Sequence, residues 1–345
     1  MKTILITGGA GFFGSILKLR LLDAGVRCVS IDLQSDPDCH EHLRSIRGDI
    51  RDLNTLEAVF REGHYDAVLH CAAVLGHGSV DDHFLWTSNV DGSRNVADLA
   101  RRHKVPRIIY TSTNCLWGSS IDHALAEDQP PAPVEIYGRS KLAAENVLNQ
   151  YKDDLIVTIL RCPTILDAGR LGLLAILYEF IHEGRRVWTV GDGSNRYQFI
   201  YAQDLAQACI QLLSYDRSDV FHIGADDVKS MRDIYSYVIR EGGSKSRVCS
   251  LPKLPTVGAM KLAYYLKLSP LGPYHYKMIA ENFLFDTTKI KQRLGWKPTL
   301  TNEQMLLRAY EYYCHNLAEI TSRTEASAHR RAAPMGIIRL LKWVS

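Results

Sequence analysis

Three glycines at three-residue spacing, Gly8, Gly11 and Gly14, stand directly behind the apolar run Ile4-Leu5-Ile6 and constrain this chain more than any other feature. The run suits a short strand buried on both faces. The residues that follow, Ile16, Leu17, Leu19, Leu21 and Leu22, recur at helical spacing. A strand, a glycine turn and a helix in that order make a phosphate cradle, because glycine permits a tight turn and close backbone approach while a helix N-terminus offers free N–H groups and positive dipole. Glycine triplets also serve turns that bind nothing. The next strand separates the two readings: Val26 to Ile31 ends in Asp32, a carboxylate placed to accept a ribose 2′-hydroxyl and to repel a 2′-phosphate. The stretch reads as a dinucleotide site that takes NAD rather than NADP.

Strands and helices then alternate through the first half. Ser45–Arg47, Ala67–His70, Arg107–Thr111 and Leu155–Leu160 read as strands, and 83–103 as one long amphipathic helix. Asp52 is expected to cap a helix running to Phe60, and a further helix is expected from Tyr137 to Tyr151. This order predicts an α/β fold built on a doubly wound parallel sheet. Beyond Arg161 the rhythm changes to helices at 171–183, 203–213, 230–241, 257–267 and 302–316, with short strands at 186–190, 198–201 and 219–223. We expect a nucleotide-binding domain over 1–165 and about 198–223, a smaller α/β substrate lobe over 166–197 and 224–320, and a basic tail over 321–345. Parallel sheets bind ligands beyond the C-terminal ends of their strands, so the second lobe should close over the glycine loop.

Composition sets bounds. A net charge of +3 spread over 345 residues gives no basic footprint for nucleic acid. Eight cysteines lie scattered without a Cys-x-x-Cys pair or a His/Cys cluster, so they read as small buried hydrophobes in a reducing, cytoplasmic compartment, and no metal is expected. The opening Met-Lys-Thr leads into a strand and does not read as a signal peptide.

Tyr137 and Lys141 stand four residues apart, hence on one helix face. An ammonium beside a phenol stabilises phenolate and draws the tyrosine pKa down from about 10, which suits a general base. Tyr-x-x-x-Lys is common as an exposed pair. Here it follows a complete nucleotide-binding half and the strand end Tyr110-Thr111-Ser112-Thr113, which offers a hydroxyl to the same substrate oxygen.

These motifs, with Gly48-Asp49-Ile50-Arg51-Asp52, His70-Cys71-Ala72-Ala73, Asn89-Val90-Asp91-Gly92, Leu160-Arg161, Phe199 to Ala206 and Leu294-Gly295-Trp296-Lys297-Pro298, resemble the extended short-chain dehydrogenase/reductase family, in its nucleotide-sugar epimerase and dehydratase group, over about residues 2–316. The resemblance implies a Rossmann fold and a helix-paired homodimer. It implies that Gly8, Gly11, Phe12, Phe13, Gly14, Asp32, Cys71, Ala72, Ala73, Thr111 and Pro163 line NAD, that Asp49 and Ile50 flank its adenine, and that Asn89 and Lys141 serve the nicotinamide side. It makes Tyr137 the base and Thr113 its partner on the substrate hydroxyl. The sugar would be oxidised to a ketone and reduced again on its other face.

Departures narrow the substrate. Asn114 and Cys115 follow Thr113 where dehydratases of the family carry an acid, which disfavours dehydration. Thr164 and Tyr197 occupy two positions where epimerases place an Asn and an Arg on the diphosphate, and Arg196 stands next door. The substrate contacts are thus expected at Thr113, Thr164, Arg196 and Tyr197, for a nucleotide-linked or lipid-linked sugar. Three functions remain: an epimerase, expected at C4 of the sugar; a net oxidoreductase of a secondary alcohol, of hydroxysteroid or keto-sugar type; and a non-catalytic NAD-binding protein. Residues 329–345 combine Arg330, Arg331, Arg339 and Lys342 with Ile337, Ile338, Leu340, Leu341 and Trp343, which suits either a membrane-interface helix or a helix packed on protein.

Overall fold

The computed structural model describes residues 1–76, 80–118, 121–266, 268 and 278–322. Seven strands form one parallel sheet: β1 Thr3–Thr7, β2 Arg27–Asp32, β3 Leu43–Arg47, β4 Ala67–His70, β5 Arg107–Thr113, β6 Ile156–Cys162 and β10 Asp219–His222, in the order β10-β6-β5-β4-β1-β2-β3. The order reverses at β1, so the loops after β1 and β4 diverge there and leave a crevice at the C-terminal edge.

Alternation along β1 divides its side chains between two layers. Ile4 and Ile6 pack with Leu17 and Leu21 of helix α1 (Phe12–Asp23) and with Leu205 and Ala208 of helix α7 (Ala202–Leu212). Leu5 faces the other way, toward Leu56 of α2 (Leu53–Arg61), Val96 and Leu99 of α4 (Gly92–Arg102), and Ala144 and Leu148 of α5 (Ile136–Asn149). Ile4, Leu5, Ile6 and Leu17 are fully buried, and each such side chain contributes about 1.5–3 kcal/mol.

A third apolar cluster gathers α6 (Leu174–His182), α8 (Met231–Glu241) and the helix Asn302–His315. Two small parallel pairs accompany it: β7 (Thr164–Leu166) with β9 (Phe199–Tyr201), and β8 (Val187–Val190) with β11 (Val248–Leu251). Asp204 joins two distant segments, accepting Thr299 N–H and Thr299 Oγ1 at 2.7 Å each while its carbonyl accepts Trp296 Nε1 at 2.9 Å.

Asp52 caps α2 as expected, accepting the Asn54 N–H at 3.0 Å. The long helix at 83–103 is interrupted: α3 (Asp82–Trp86) passes into a π-helical turn, Thr87–Asp91, before α4. Strands β7 and β11 and the helix Thr288–Leu294 were not among the expected elements. Helix α9 begins at Lys253, four residues before the expected start, and runs to Tyr265. No helix among the described residues is long and apolar enough to cross a membrane. The basic tail, residues 329–345, lies outside the described residues.

Candidate active site

The glycine loop is pressed against the loop after β4. Gly8 has φ +76°, and a Cβ there would lie 2.6 Å from the Ala72 nitrogen, so the two backbones meet where any side chain would part them. Cys71 and Ala72 therefore border the glycine turn. Helix α1 starts behind Gly11 without a side-chain cap and without an acidic residue in its first turn, so Phe12, Phe13 and Gly14 begin the helix with its dipole uncompensated. Phe12 and Phe13 themselves are buried. At the end of β2, Asp32 accepts the Ala10 N–H at 3.0 Å and the Gln34 N–H at 2.9 Å, which sets its carboxylate beside the turn.

One residue behind this loop escaped sequence reading. Lys18 lies on α1 at 0% exposure; its ammonium donates to the Gly9 carbonyl at 3.2 Å, hydrogen-bonds Asp36 and pairs with Asp38 at 2.8 Å. Asp36 also accepts Ser30 Oγ at 3.1 Å. The segment after β2 is thereby tied to the glycine turn. The signal was a lysine within an apolar helix pattern, but its partners stand about twenty residues away.

Asp49 and Ile50 lie in the loop between β3 and α2. Asp49 binds Arg51, with Nη2 at 2.6 Å, and that guanidinium holds its carboxyl below the usual range. Ile50 is buried against Gly92, where a Cβ would stand 2.6 Å from its Cδ1. In the π turn, Asn89 accepts the Val74 N–H at 2.7 Å and donates to the Val74 carbonyl at 3.0 Å and to Ser140 Oγ at 2.9 Å. Ser140 in turn donates to the Tyr137 carbonyl at 2.8 Å. Asn89 so clamps the loop after β4 to the first turn of α5.

Beneath the clamp, His70 is fully buried and burial lowers its pKa to about 3. Its Nδ1 lies 2.6 Å from Thr7 Oγ1 and its Nε2 2.8 Å from Ser93 Oγ, while Ser93 Oγ donates to the Asn89 carbonyl at 2.6 Å. Since the Ser93 proton is committed to Asn89, the neutral ring carries its own on Nε2 and accepts from Thr7.

Helix α5 carries Tyr137 and Lys141. Glu135 caps it by accepting the Gly138 N–H at 3.2 Å. A Cβ on Gly138 would stand 2.3 Å from the Cys115 carbonyl, so glycine lets the first turn of α5 rest on the chain just past Thr113. Tyr137 is partly exposed and borders Gly76; its surroundings, burial first and then Cys115 and Tyr110, raise the phenol pKa well above its ordinary value. The Lys141 ammonium is buried, donates to the Thr111 carbonyl at 2.7 Å and lies 4.0 Å from the centre of the Tyr110 ring. Burial brings its pKa down to about 8. Thr111 Oγ1 donates to the His70 carbonyl at 3.3 Å. Thr113 accepts the Cys115 N–H at 3.1 Å, which leaves its hydroxyl proton only a long contact, 3.5 Å, to Asn114 Oδ1.

One turn beyond Lys141, Glu145 forms a buried ion pair with Arg161, Nη2 to Oε2 2.8 Å, and accepts Ser112 Oγ at 2.5 Å. This pair joins α5, β5 and β6.

The expected substrate contacts diverge. Pro163 separates β6 from β7, and Thr164 directs Oγ1 toward Met278 Sδ at 3.9 Å. Arg196 is exposed, its backbone N–H bonded to Asn282 Oδ1 at 2.8 Å. Tyr197 is only 1% exposed, and its hydroxyl accepts Asn114 Nδ2 at 2.6 Å, so it reaches Thr113 through Asn114 rather than directly. Among the described residues no His, Cys, Asp or Glu group is arranged to hold a metal ion.

The model of the NAD-dependent epimerase/dehydratase family matches residues 4–224. The chain belongs to that family. NAD is the cofactor on which the family depends, and the seven-stranded parallel sheet is its Rossmann-like fold. This epimerase/dehydratase homologue is 33% identical to the protein y4nG of Sinorhizobium fredii over 345 residues, covering 99% of this chain and 86% of that one. It is 26% identical over 336 residues to the UDP-glucose 4-epimerase of Mycolicibacterium smegmatis, covering 91% and 98%. Among solved structures, the UDP-glucose 4-epimerase of Thermotoga maritima, determined with UDP-glucose, shares the fold with a TM-score of 0.75 at 23% identity, over 91% of this chain and 99% of that one. The Bordetella bronchiseptica enzyme WbmG, determined with NAD, superposes equally well, with a TM-score of 0.75 at 23% identity over 91% and 94%.

Proposed function

We propose that this family member is an NAD-dependent sugar epimerase, acting at C4 of a nucleotide- or lipid-linked sugar with Tyr137 as base. The observation that carries the reading is the Lys141 ammonium, buried at the end of β5 and one helical turn from Tyr137, with Thr113 two residues past the carbonyl it grips. The residues around the glycine turn fit NAD: Gly8 has no side chain where one would strike Ala72, α1 is uncapped, and Asp32 stands beside the turn. When bound, NAD supplies a hydride acceptor that becomes the donor of the return step.

The chain's own residues handle the proton. Tyr137 takes it from the sugar hydroxyl, and because packing raises the phenol pKa, this step leans on the positive charge of Lys141. Thr113, oriented by the Cys115 N–H, turns its proton from the long contact with Asn114 Oδ1 to the same oxygen. Returning the proton restores the phenol, so the cycle leaves the protein unchanged. Asn114 is a neutral amide engaged by Tyr197 and offers no acid to a leaving group, which favours epimerisation over dehydration.

The test is turnover of UDP-sugars and lipid-linked sugars by purified protein, read as product by chromatography and as reduced cofactor by absorbance. Product without accumulation of NADH is expected, and Tyr137→Phe should lower turnover by about 10²–10⁴-fold. Full turnover by that variant, or protein that binds no NAD, would end this reading. Thr164 and Tyr197 favour a second one, net oxidation or reduction of an alcohol lacking a diphosphate, since neither brings charge to the cleft. Stoichiometric NADH would establish it.

A further inference from the structure

Helix α9, Lys253–Tyr265, carries its apolar side chains outward. None of its residues is buried. Leu254 is 86% exposed, Tyr265 83% and Leu262 60%, whereas Thr256, Val257, Met260 and Ala263 are half-buried on the side toward the protein. At about 100° per residue, Leu254, Leu262, Tyr265 and Leu266 share one face, with Lys261 at its edge. Scattered exposed leucines are ordinary, but a contiguous row on one helix marks a surface that meets something apolar.

Charge says what that something is. Residues 253–280 contain four lysines and four tyrosines but no aspartate or glutamate, in a chain that has 38 acidic residues. Lys253 contacts Glu281 at 3.4 Å, just beyond the stretch. A second copy of this chain is a poor occupant: an isologous contact would set the helix on itself, with no carboxylate of its own to meet Lys261. The tail is no better, since residues 329–345 carry Arg330, Arg331, Arg339 and Lys342 and no acidic residue.

We propose that α9 docks the protein on an anionic lipid surface, its leucines entering the acyl boundary and Lys261 at the edge of that face meeting lipid phosphates, with Tyr265 at the level of the headgroups. The inference stands independently of the reaction assigned above. Because β11 runs through Pro252 straight into α9, docking would also bring the β8–β11 pair to the bilayer.

Flotation of the full-length protein, loaded with NAD, tests this with vesicles of phosphatidylcholine alone and of phosphatidylcholine mixed with phosphatidylglycerol. The protein should float with the mixed vesicles, less so at high salt, and not with the neutral ones. Combining Leu254→Ser, Leu262→Ser and Tyr265→Ser should weaken binding about tenfold or more, and Lys261→Glu alone several-fold. Retained NAD binding reports that the variants are folded. If the triple variant loses NAD, slowed hydrogen exchange of α9 amides on the mixed vesicles replaces it as the supporting result. No flotation of the parent overturns the proposal, as does undiminished flotation of a folded triple variant, which would leave the tail as the anchor. A triple variant that floats unchanged but dissociates from dimer to monomer in sedimentation would assign the face to self-association instead.

Discussion

The amide of Asn114 donates to the buried hydroxyl of Tyr197 at 2.6 Å, joining the residue beside Thr113 to the segment that leads into β9. Tyr197→Phe leaves that donor without its partner in the core. A loss of about 1–3 kcal/mol is expected in denaturant unfolding. Turnover should fall while NAD affinity holds, because only the Thr113 side of the cleft is loosened. Unchanged unfolding and kinetics would mean that the contact positions nothing.

Lys141, whose pKa burial lowers to about 8, should set the alkaline side of activity. Turnover should rise with pH through neutrality as Tyr137 yields its proton more readily, then fall above about 8 as the ammonium discharges. In Lys141→Arg the cation does not titrate, so residual activity should lose that alkaline limb. A limb kept by the variant would place the titration elsewhere.

The fully buried Lys18 ammonium pairs with the buried carboxylate of Asp36 and the partly exposed one of Asp38. Lys18→Met strands that charge and should cost about 3–5 kcal/mol of stability. Adding Asp36→Asn should recover part of the loss, so the double mutant should be more stable than the single one. NAD affinity should drop in Lys18→Met as the segment behind Asp32 comes loose. Strictly additive effects in calorimetry would deny the coupling.

His70 and His222 are both buried, and burial holds each near pKa 3, well below the unfolded value of about 6.5. The unfolded chain therefore binds protons that the folded one refuses, and stability should decline as pH falls from about 6.5 toward 3. His222 donates through Nδ1 to the Leu125 carbonyl at 2.9 Å. Unfolding free energies measured at neutral and mildly acid pH should converge in His70→Asn relative to the parent.

Gly138→Ala sets a methyl against the Cys115 carbonyl, a backbone atom that cannot swing aside. Displacing the first turn of α5 should cost about 1–3 kcal/mol and, by moving Tyr137 from its partners, reduce kcat by about a hundredfold. Equilibrium dialysis with NAD should show binding largely kept, since the glycine loop lies on another element. Undisturbed kcat would separate Tyr137 from the chemistry.

Those residues differ in how far they could be read in advance. The glycine turn, Asp32 and the Tyr137–Lys141 pair lie within local runs whose spacing already implies a shared face, and the alternation of strands and helices follows from apolar runs broken by turns. Lys18, Glu145 and Asn114 gave no such signal, because each is explained by a partner on another element. The π turn hid within an apolar pattern that continues on either side of it. Strands β7 and β11, three and four residues long, carry too little alternation to be distinguished from loop.

That turn limits what this stretch can become. A π-helical segment holds one residue more than the α-helical register would, so Asp82–Trp86 and Gly92–Arg102 are phased a residue apart. Deleting one residue between Thr87 and Asp91 would close the segment to an α-helical turn, leaving the helices on either side in place but removing the wide turn that holds Asn89. Asn89 would then leave Val74 and Ser140. Descendants of this chain can exchange side chains along the helix, but its length over these five positions is not free to drift.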